Sequence, residues 1–237
     1  MRVAVIPAAG IGRRFGGKKQ FFKIGGKEIV EFPLRLFEKS ELIDGVILVL
    51  PEEDLKRGEE LQEKFKKIVK VVAGGKERQS SVYKGLKAAE ELSPKEVMVH
   101  DGVRPVLELA TINDMVIAIS DYEADGIILG VKPKETVKEV GAPLEPGDFV
   151  VKKTLSRDKL ILVQTPQLFK FDILLECHER AKREELFATD DSALLERYGY
   201  TVISIPGDYK NIKITTPEDL KVAELFLREI GALPEGL

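Results

Sequence analysis

The segment Pro7-Ala8-Ala9-Gly10-Ile11-Gly12-Arg13-Arg14-Phe15-Gly16-Gly17-Lys18-Lys19-Gln20 concentrates residue types that handle phosphate. Small residues let backbone amides approach an anion closely, and glycine accepts the turns this requires. Four cations, Arg13, Arg14, Lys18 and Lys19, fall within seven positions. Together they read as a polyphosphate cradle, against the plainer alternative of a glycine-rich turn with a solvated basic edge. Two common nucleotide loops do not fit. No G-x-G-x-x-G opens a helix here, and Gly17-Lys18 is followed by Lys19 and Gln20, which breaks the P-loop pattern.

Other residues stand out by position. Asp101 ends the apolar run Val97–His100, where a carboxylate is too costly to bury unpaired. A magnesium ion bridging phosphate oxygens would explain it; a helix or turn cap is the alternative. Arg78 and Ser81 follow Gly74-Gly75, either as ligand contacts or as an ordinary first helical turn. Lys213 lies in Asn211-Ile212-Lys213-Ile214, read as a short strand whose alternation sets Lys213 opposite Ile212 and Ile214. Such a lysine is commonly a solvent-facing edge residue. His100 reads as a packed neighbour of Asp101, and His178 as a surface residue of a helix.

These residues need a scaffold that brings distant segments to one edge, and the hydrophobic pattern supplies it. Val3–Pro7, Val46–Leu50, Ile68–Ala73, Val97–His100 and Gly126–Val131 are short apolar runs suited to buried parallel strands. Between them, Glu52–Lys66, Arg78–Leu92 and Leu109–Tyr122 have helical length and amphipathic spacing. That alternation implies right-handed βαβ crossovers. Strands resume at Leu160–Gln164 and Thr201–Ile205, and a closing helix is expected over about Pro217–Ile230, with Pro217 in its first turn. The expected fold is a single α/β domain over residues 1–237, a Rossmann-like, mostly parallel sheet with helices on both faces. In such sheets ligands bind beyond the carboxyl ends of the strands. Residues 132–159 break the rhythm: Gly141, Pro143, Pro146 and Gly147 lie between or beside the β-friendly pieces Thr136–Val140 and Phe149–Thr154. This predicts a protruding β-arm, an excursion long enough to cover a site or reach a partner subunit.

Lys plus Arg number 37 and Asp plus Glu 40 in 237 residues, a net charge of −3. That balance excludes a general nucleic-acid binder, so local charge must meet any anionic ligand. One cysteine, Cys177, excludes a disulfide scaffold and a Cys-rich zinc site. No run of about 18 apolar residues occurs. Arg13 and Arg14 follow the apolar N-terminal run rather than precede it, the reverse of a signal peptide. A soluble, cytoplasmic protein without nucleic-acid or membrane partners is expected.

The loop P-A-A-G-x-G-x-R followed by K-Q resembles the signature of the sugar-phosphate nucleotidyltransferases. The rest of the chain resembles their 2-C-methyl-D-erythritol 4-phosphate cytidylyltransferase family. Segments 74–82, 100–105, 164–167, 188–191 and 211–215 follow in that family's order across nearly the whole length. The resemblance implies transfer of a cytidylyl group from CTP to 2-C-methyl-D-erythritol 4-phosphate in non-mevalonate isoprenoid biosynthesis. The products would be 4-diphosphocytidyl-2-C-methyl-D-erythritol and pyrophosphate, with Mg²⁺ as cofactor. It implies that Arg14, Lys19 and Lys213 are catalytic, and that Pro7, Ala8, Ala9, Gly10, Gly12, Gly75, Lys76, Arg78 and Ser81 hold CTP. Asp101 would hold the metal and, with Arg104, Thr165, Thr189 and Lys213, the acceptor. Thr136 and Arg157 would reach the acceptor from the arm of the other subunit of a homodimer. The same residues would serve a cytidylyltransferase for another polyol phosphate, such as D-ribitol 5-phosphate. A catalytically silent nucleotide-binding subunit has no need of Arg14, Lys19, Asp101 and Lys213 together. A glycosyltransferase lacks its D-x-D metal motif here, because Asp190 and Asp191 are adjacent.

Overall fold

Alternate residues of Arg2–Pro7 (β1) face opposite layers: Val3 and Val5 one set of helices, Ala4 and Ile6 the other. The computed structural model, which describes residues 1–12 and 15–234, repeats this two-sided burial along the sheet. After β1 come a small hairpin, β2 (Lys23–Ile24) and β3 (Lys27–Glu28), then α1 (Glu31–Lys39) and β4 (Gly45–Leu50). Next are α2 (Leu55–Lys64), β5 (Ile68–Ala73), α3 (Arg78–Glu90), β6 (Glu96–Val99), α4 (Leu109–Asp121) and β7 (Gly126–Val131). The arm is β8 (Lys138–Glu145) and β9 (Asp148–Thr154). The chain then forms β10 (Leu162–Lys170), α5 (Phe171–Arg183), α6 (Ser192–Arg197), β11 (Val202–Pro206) and α7 (Asp219–Glu229).

The seven-stranded sheet has the order β11-β7-β10-β6-β1-β4-β5. β10 is antiparallel to both neighbours, and the other pairings are parallel. One face buries Leu34 and Phe37 of α1 with Ile112 and Met115 of α4. The opposite face buries Val82 and Leu86 of α3 with Leu174 of α5 and Leu194 of α6. The α/β, mostly parallel architecture therefore stands as expected from the sequence. A third cluster joins Phe15, Val103 and Ile214 to Leu227 of α7, tying the chain around Lys213 to the loop after β1.

Several boundaries differ. In place of a strand over Leu160–Gln164, β10 starts at Leu162 and runs on to Lys170, and its pairing with β7 jumps from Gln164 to Gln167. The closing helix starts two residues after Pro217. The segment around Lys213 is extended coil and not a strand. β8 and β9 pair only with each other, apart from the main sheet. Among the described residues no helix is long and apolar enough to cross a membrane.

Candidate active site

Beyond β1 the chain turns sharply. Gly12 has φ of 65°, and its carbonyl accepts the N–H groups of Phe15 at 2.9 Å and Gly16 at 3.0 Å. A Cβ at Gly12 would lie 1.8 Å from the Gly17 carbonyl oxygen, so only glycine fits. After β5, Gly74 approaches the same loop: a Cβ there would lie 2.2 Å from the Ala9 Cβ. Gly74→Ala is therefore expected to displace the loop and lower kcat/KM for the nucleotide by about 10²-fold, the cost of ångström-scale misplacement. Steady-state kinetics of that variant check it, and a wild-type value would contradict the close packing.

Between this loop and the start of α3 lies a cavity of about 690 Å³. Pro7, Ala8, Ala9, Gly10 and Lys19 line one wall. Gly75, Lys76, Arg78 and Ser81 line the other. Ser81 is buried; its hydroxyl accepts the Gly75 N–H at 3.0 Å and donates to the Glu77 carbonyl at 3.1 Å, which fixes the glycine turn. Not all four loop cations face the cavity. Lys18 pairs with Glu53 at 2.9 Å and Asp54 at 2.5 Å instead. Arg13 and Arg14 lie outside the described residues.

Asp101 sits just past β6, buried among cations. Its Oδ1 accepts Arg78 Nε at 2.7 Å and its Oδ2 accepts Lys213 Nζ at 2.6 Å. The Asp101 N–H donates to Thr165 Oγ1 at 3.0 Å, so that hydroxyl supports the carboxylate from beneath. Both carboxylate oxygens are thus engaged by cations, which disposes of the cap alternative. Burial alone would push the Asp101 pKa up; the Arg78 and Lys213 charges outweigh it and hold the carboxyl well below the usual range. Lys213 reaches this point although it is not on a strand. Ile214 anchors it, buried in the third cluster with its N–H on the Val103 carbonyl at 3.0 Å.

A second cavity of about 440 Å³ lies on the other side of Asp101. Arg104, Thr165, Gln167, Thr189 and Asp190 are among its walls. Arg104 donates to the Asn211 carbonyl at 2.6 Å, which holds its guanidinium in place. Both cavities are lined by Arg78, Asp101 and Lys213, and among the described residues they share no other lining residue. Thr136 and Arg157 line neither; both are exposed at the arm, with Arg157 Nη1 on the Lys134 carbonyl at 3.0 Å. Gln167 and Asp190 are wall residues to which sequence reasoning gave no role. For Gln167 the available signal was a polar group interrupting the apolar pattern around Leu168 and Phe169; Asp190, in the polar stretch Thr189–Ser192, carried no such signal.

The histidines divide. His100 is fully buried, as expected, with Nε2 3.0 Å from the Arg104 carbonyl and its ring edge-on to Phe37. His178 is not the surface residue expected: it is 1 % exposed, with Nε2 3.0 Å from Asp191 Oδ1. Burial pushes the His100 imidazole down to about 4 and the Cys177 thiol up to about 12. Neither is a base or nucleophile near neutrality. An unfolded histidine titrates near 6.5. Between about pH 6.5 and 4 the unfolded chain therefore binds the extra proton, and His100 removes stability as pH falls through that window. From pH 7 to 5 the native chain is expected to lose about 2 kcal/mol more than His100→Gln. Urea unfolding at both pH values checks this, and equal losses would contradict it.

Among the described residues no three or more His, Cys, Asp or Glu groups cluster as a metal cage. A lone carboxylate at a strand end, facing two cavities, suits a cation that takes one or two carboxylates and fills its shell with substrate phosphates and water. The cluster has no general base and is dominated by charge, which suits moving a phosphoryl-type group between two anions.

The family model for 2-C-methyl-D-erythritol 4-phosphate cytidylyltransferase (IspD) matches residues 2–229. A protein of that name from Geobacter metallireducens is 40% identical, covering 95% of this chain and 97% of its own. The solved structure of 4-diphosphocytidyl-2C-methyl-D-erythritol synthase from Anaerococcus prevotii superposes with a TM-score of 0.83 at 31% identity, covering 96% of each chain. The Francisella tularensis 2-C-methyl-D-erythritol 4-phosphate cytidylyltransferase gives 0.81 at 33% identity over 95% of this chain and 99% of that one. The family model spans nearly the whole chain, and relatives at this identity match over nearly their full length: the chain belongs to the 2-C-methyl-D-erythritol 4-phosphate cytidylyltransferase family.

Proposed function

We propose that the chain transfers the cytidylyl group of CTP to 2-C-methyl-D-erythritol 4-phosphate, releasing pyrophosphate, as an enzyme of non-mevalonate isoprenoid biosynthesis. The observation that carries this is the meeting of the two cavities at Arg78, Asp101 and Lys213. CTP occupies the cavity walled by Pro7–Gly10, Lys19, Gly75, Lys76, Arg78 and Ser81. The acceptor phosphate occupies the one walled by Arg104, Thr165 and Thr189. A phosphate oxygen of the acceptor attacks the α-phosphorus of CTP, the bond to the bridging β-phosphate oxygen breaks, and pyrophosphate leaves. A phosphate monoester is already largely dianionic at pH 7, so no side chain needs to take a proton. Arg14, Lys19 and Lys213 stabilise charge on the phosphorus and the leaving group. Asp101 would hold a divalent cation, Mg²⁺, which would supply neutralisation of nucleotide phosphate charge.

Pyrophosphate release with 2-C-methyl-D-erythritol 4-phosphate and CTP, UTP or GTP in turn tests the reading. CTP is expected to be strongly preferred, and equal rates with all three would contradict a cytosine site.

We further assign residues 132–159 as a homodimer arm of a cytoplasmic enzyme, carrying Thr136 and Arg157 to the partner's acceptor cavity. Support comes from the apolar side chains the arm exposes, Leu144 at 71 % and Val151 at 56 % among them. Leu144→Asp/Val151→Asp is expected to sediment as a monomer, where the native chain sediments as a dimer. A native monomer at micromolar concentration would contradict the assignment.

A further inference from the structure

Asp191 and His178 are buried titratable groups to which the transfer reaction gives no role. Asp191 is 1 % exposed, and its carboxylate does not cap α6; that is done by Asp190, whose Oδ1 accepts the Ala193 N–H at 3.1 Å. Asp191 instead bridges two groups. Its Oδ2 accepts Arg78 Nη1 at 2.8 Å, and its Oδ1 accepts His178 Nε2 at 3.0 Å, a nitrogen that must carry its proton to face a carboxylate. His178 is held from the other side by the Tyr83 ring, stacked at 6.4 Å and 17°.

These contacts extend the site into one line of alternating groups. Lys213 holds Asp101, Asp101 holds Arg78, Arg78 holds Asp191, and Asp191 holds His178, over distances of 2.6 to 3.0 Å. The four contacts join five places: the coil between β11 and α7, the chain after β6, the first residue of α3, the approach to α6 and the middle of α5. Arg78 is the pivot, because it lines both cavities. With Nε on Asp101 and Nη1 on Asp191, its guanidinium plane is fixed by two carboxylates. Its Nη2 is buried and has no hydrogen-bond partner among the described residues, which leaves one oriented donor for a phosphate oxygen.

We propose that Asp191 and His178 are positioning residues for the transfer: they lock the Arg78 guanidinium, and through it the Asp101 carboxylate, in the orientation the reacting phosphates require. This rests on the cytidylyl-transfer reading above. Without the His178 donor, Asp191 is free to rotate about its side chain, and Arg78 loses the anchor opposite Asp101.

The test compares His178→Phe, which keeps the ring against Tyr83 but removes the donor, with His178→Gln, which keeps an N–H to offer. The phenylalanine variant is expected to lose about 10–100-fold in kcat, the usual cost of removing an outer hydrogen-bond partner that orients a site residue. KM for CTP should change far less than kcat, because His178 lies outside the nucleotide cavity and Arg78 is the one wall residue it steadies. The glutamine variant is expected to recover most of the loss. A second readout needs no turnover: the Arg78 Nε–H signal in ¹H–¹⁵N spectra should be sharp and slow to exchange in the native chain and in His178→Gln, and broadened in His178→Phe. Unchanged kcat together with an unchanged Nε–H signal in His178→Phe would overturn the proposal. A fall in kcat that glutamine fails to rescue, with that signal intact, would overturn it too. If His178→Phe does not fold, Asp191→Asn replaces it with the same expectations. Should the native chain release no pyrophosphate with any acceptor, the transfer reading fails, and the Nε–H signal alone still decides whether the pair fixes Arg78.

Discussion

Asp101→Asn is expected to lower kcat by about 10²–10³ while the chain remains folded. The amide has the size of the carboxylate but not its charge. It offers one acceptor oxygen where Asp101 offers two, each taken by a cation, and its NH₂ must face either Arg78 or Lys213 as donor against donor. Arg78 retains Asp191 as an anion, and the Lys213 side chain is 38% exposed, so water can take over its charge. The cost in stability is therefore modest, below the 3–5 kcal/mol or so of stranding a fully buried charge. The cost in chemistry is not, because the one carboxylate among the described residues that lines both cavities goes with it. Rate against Mg²⁺ concentration gives the discriminating measurement: the variant should need far more metal for a far lower plateau. A plateau within threefold of the native chain would contradict the role of Asp101.

Lys19→Ala carries the second large effect, again about 10²–10³ in kcat, the usual loss on removing one preorganised charge. Lys19 lines the nucleotide cavity at the point where the loop turns back toward the sheet. It is adjacent in sequence to Lys18, which does not line that cavity and is turned toward Glu53 and Asp54. Lys18→Ala should therefore change kcat far less than Lys19→Ala, although both remove one positive charge from adjacent positions. Equal losses would mean that the loop acts through its total charge and not through a directed lysine. Arg14→Ala is expected to match Lys19→Ala. Melting temperatures of all three variants should stay close to that of the native chain.

The parallel strands were legible because strands buried on both faces read as continuous apolar runs, and Ile68–Ala73 and Gly126–Val131 match to the residue. β10 was only half legible. Gln164, Pro166 and Gln167 interrupt its apolar pattern, and nothing local encodes that it runs antiparallel between β6 and β7. Lys213 was rightly set opposite Ile212 and Ile214, although the segment is coil, because burying Ile214 alone is enough to fix the alternation. His178 was misread despite a usable signal: Leu174, His178 and Ala181 share one helical face, which α5 buries. The direction of Lys18 had no such signal, since its partners lie more than thirty residues away along the chain. Residues of the nucleotide wall were found through one contiguous loop and one glycine pair. The Arg78–Asp191–His178 line was not, because it forms only when α3, α5 and α6 pack together.

The most direct test of the central claim uses CTP labelled at the α-phosphorus with Mg²⁺, offered 2-C-methyl-D-erythritol 4-phosphate and D-ribitol 5-phosphate in parallel. Label is expected to pass into a cytidine diphosphate ester of methylerythritol, with one pyrophosphate released per label transferred and little transfer to ribitol phosphate. Label passing to ribitol phosphate instead would keep the two-cavity site and replace the acceptor. Label remaining in CTP with both acceptors would contradict the account of this cleft as a site of cytidylyl transfer.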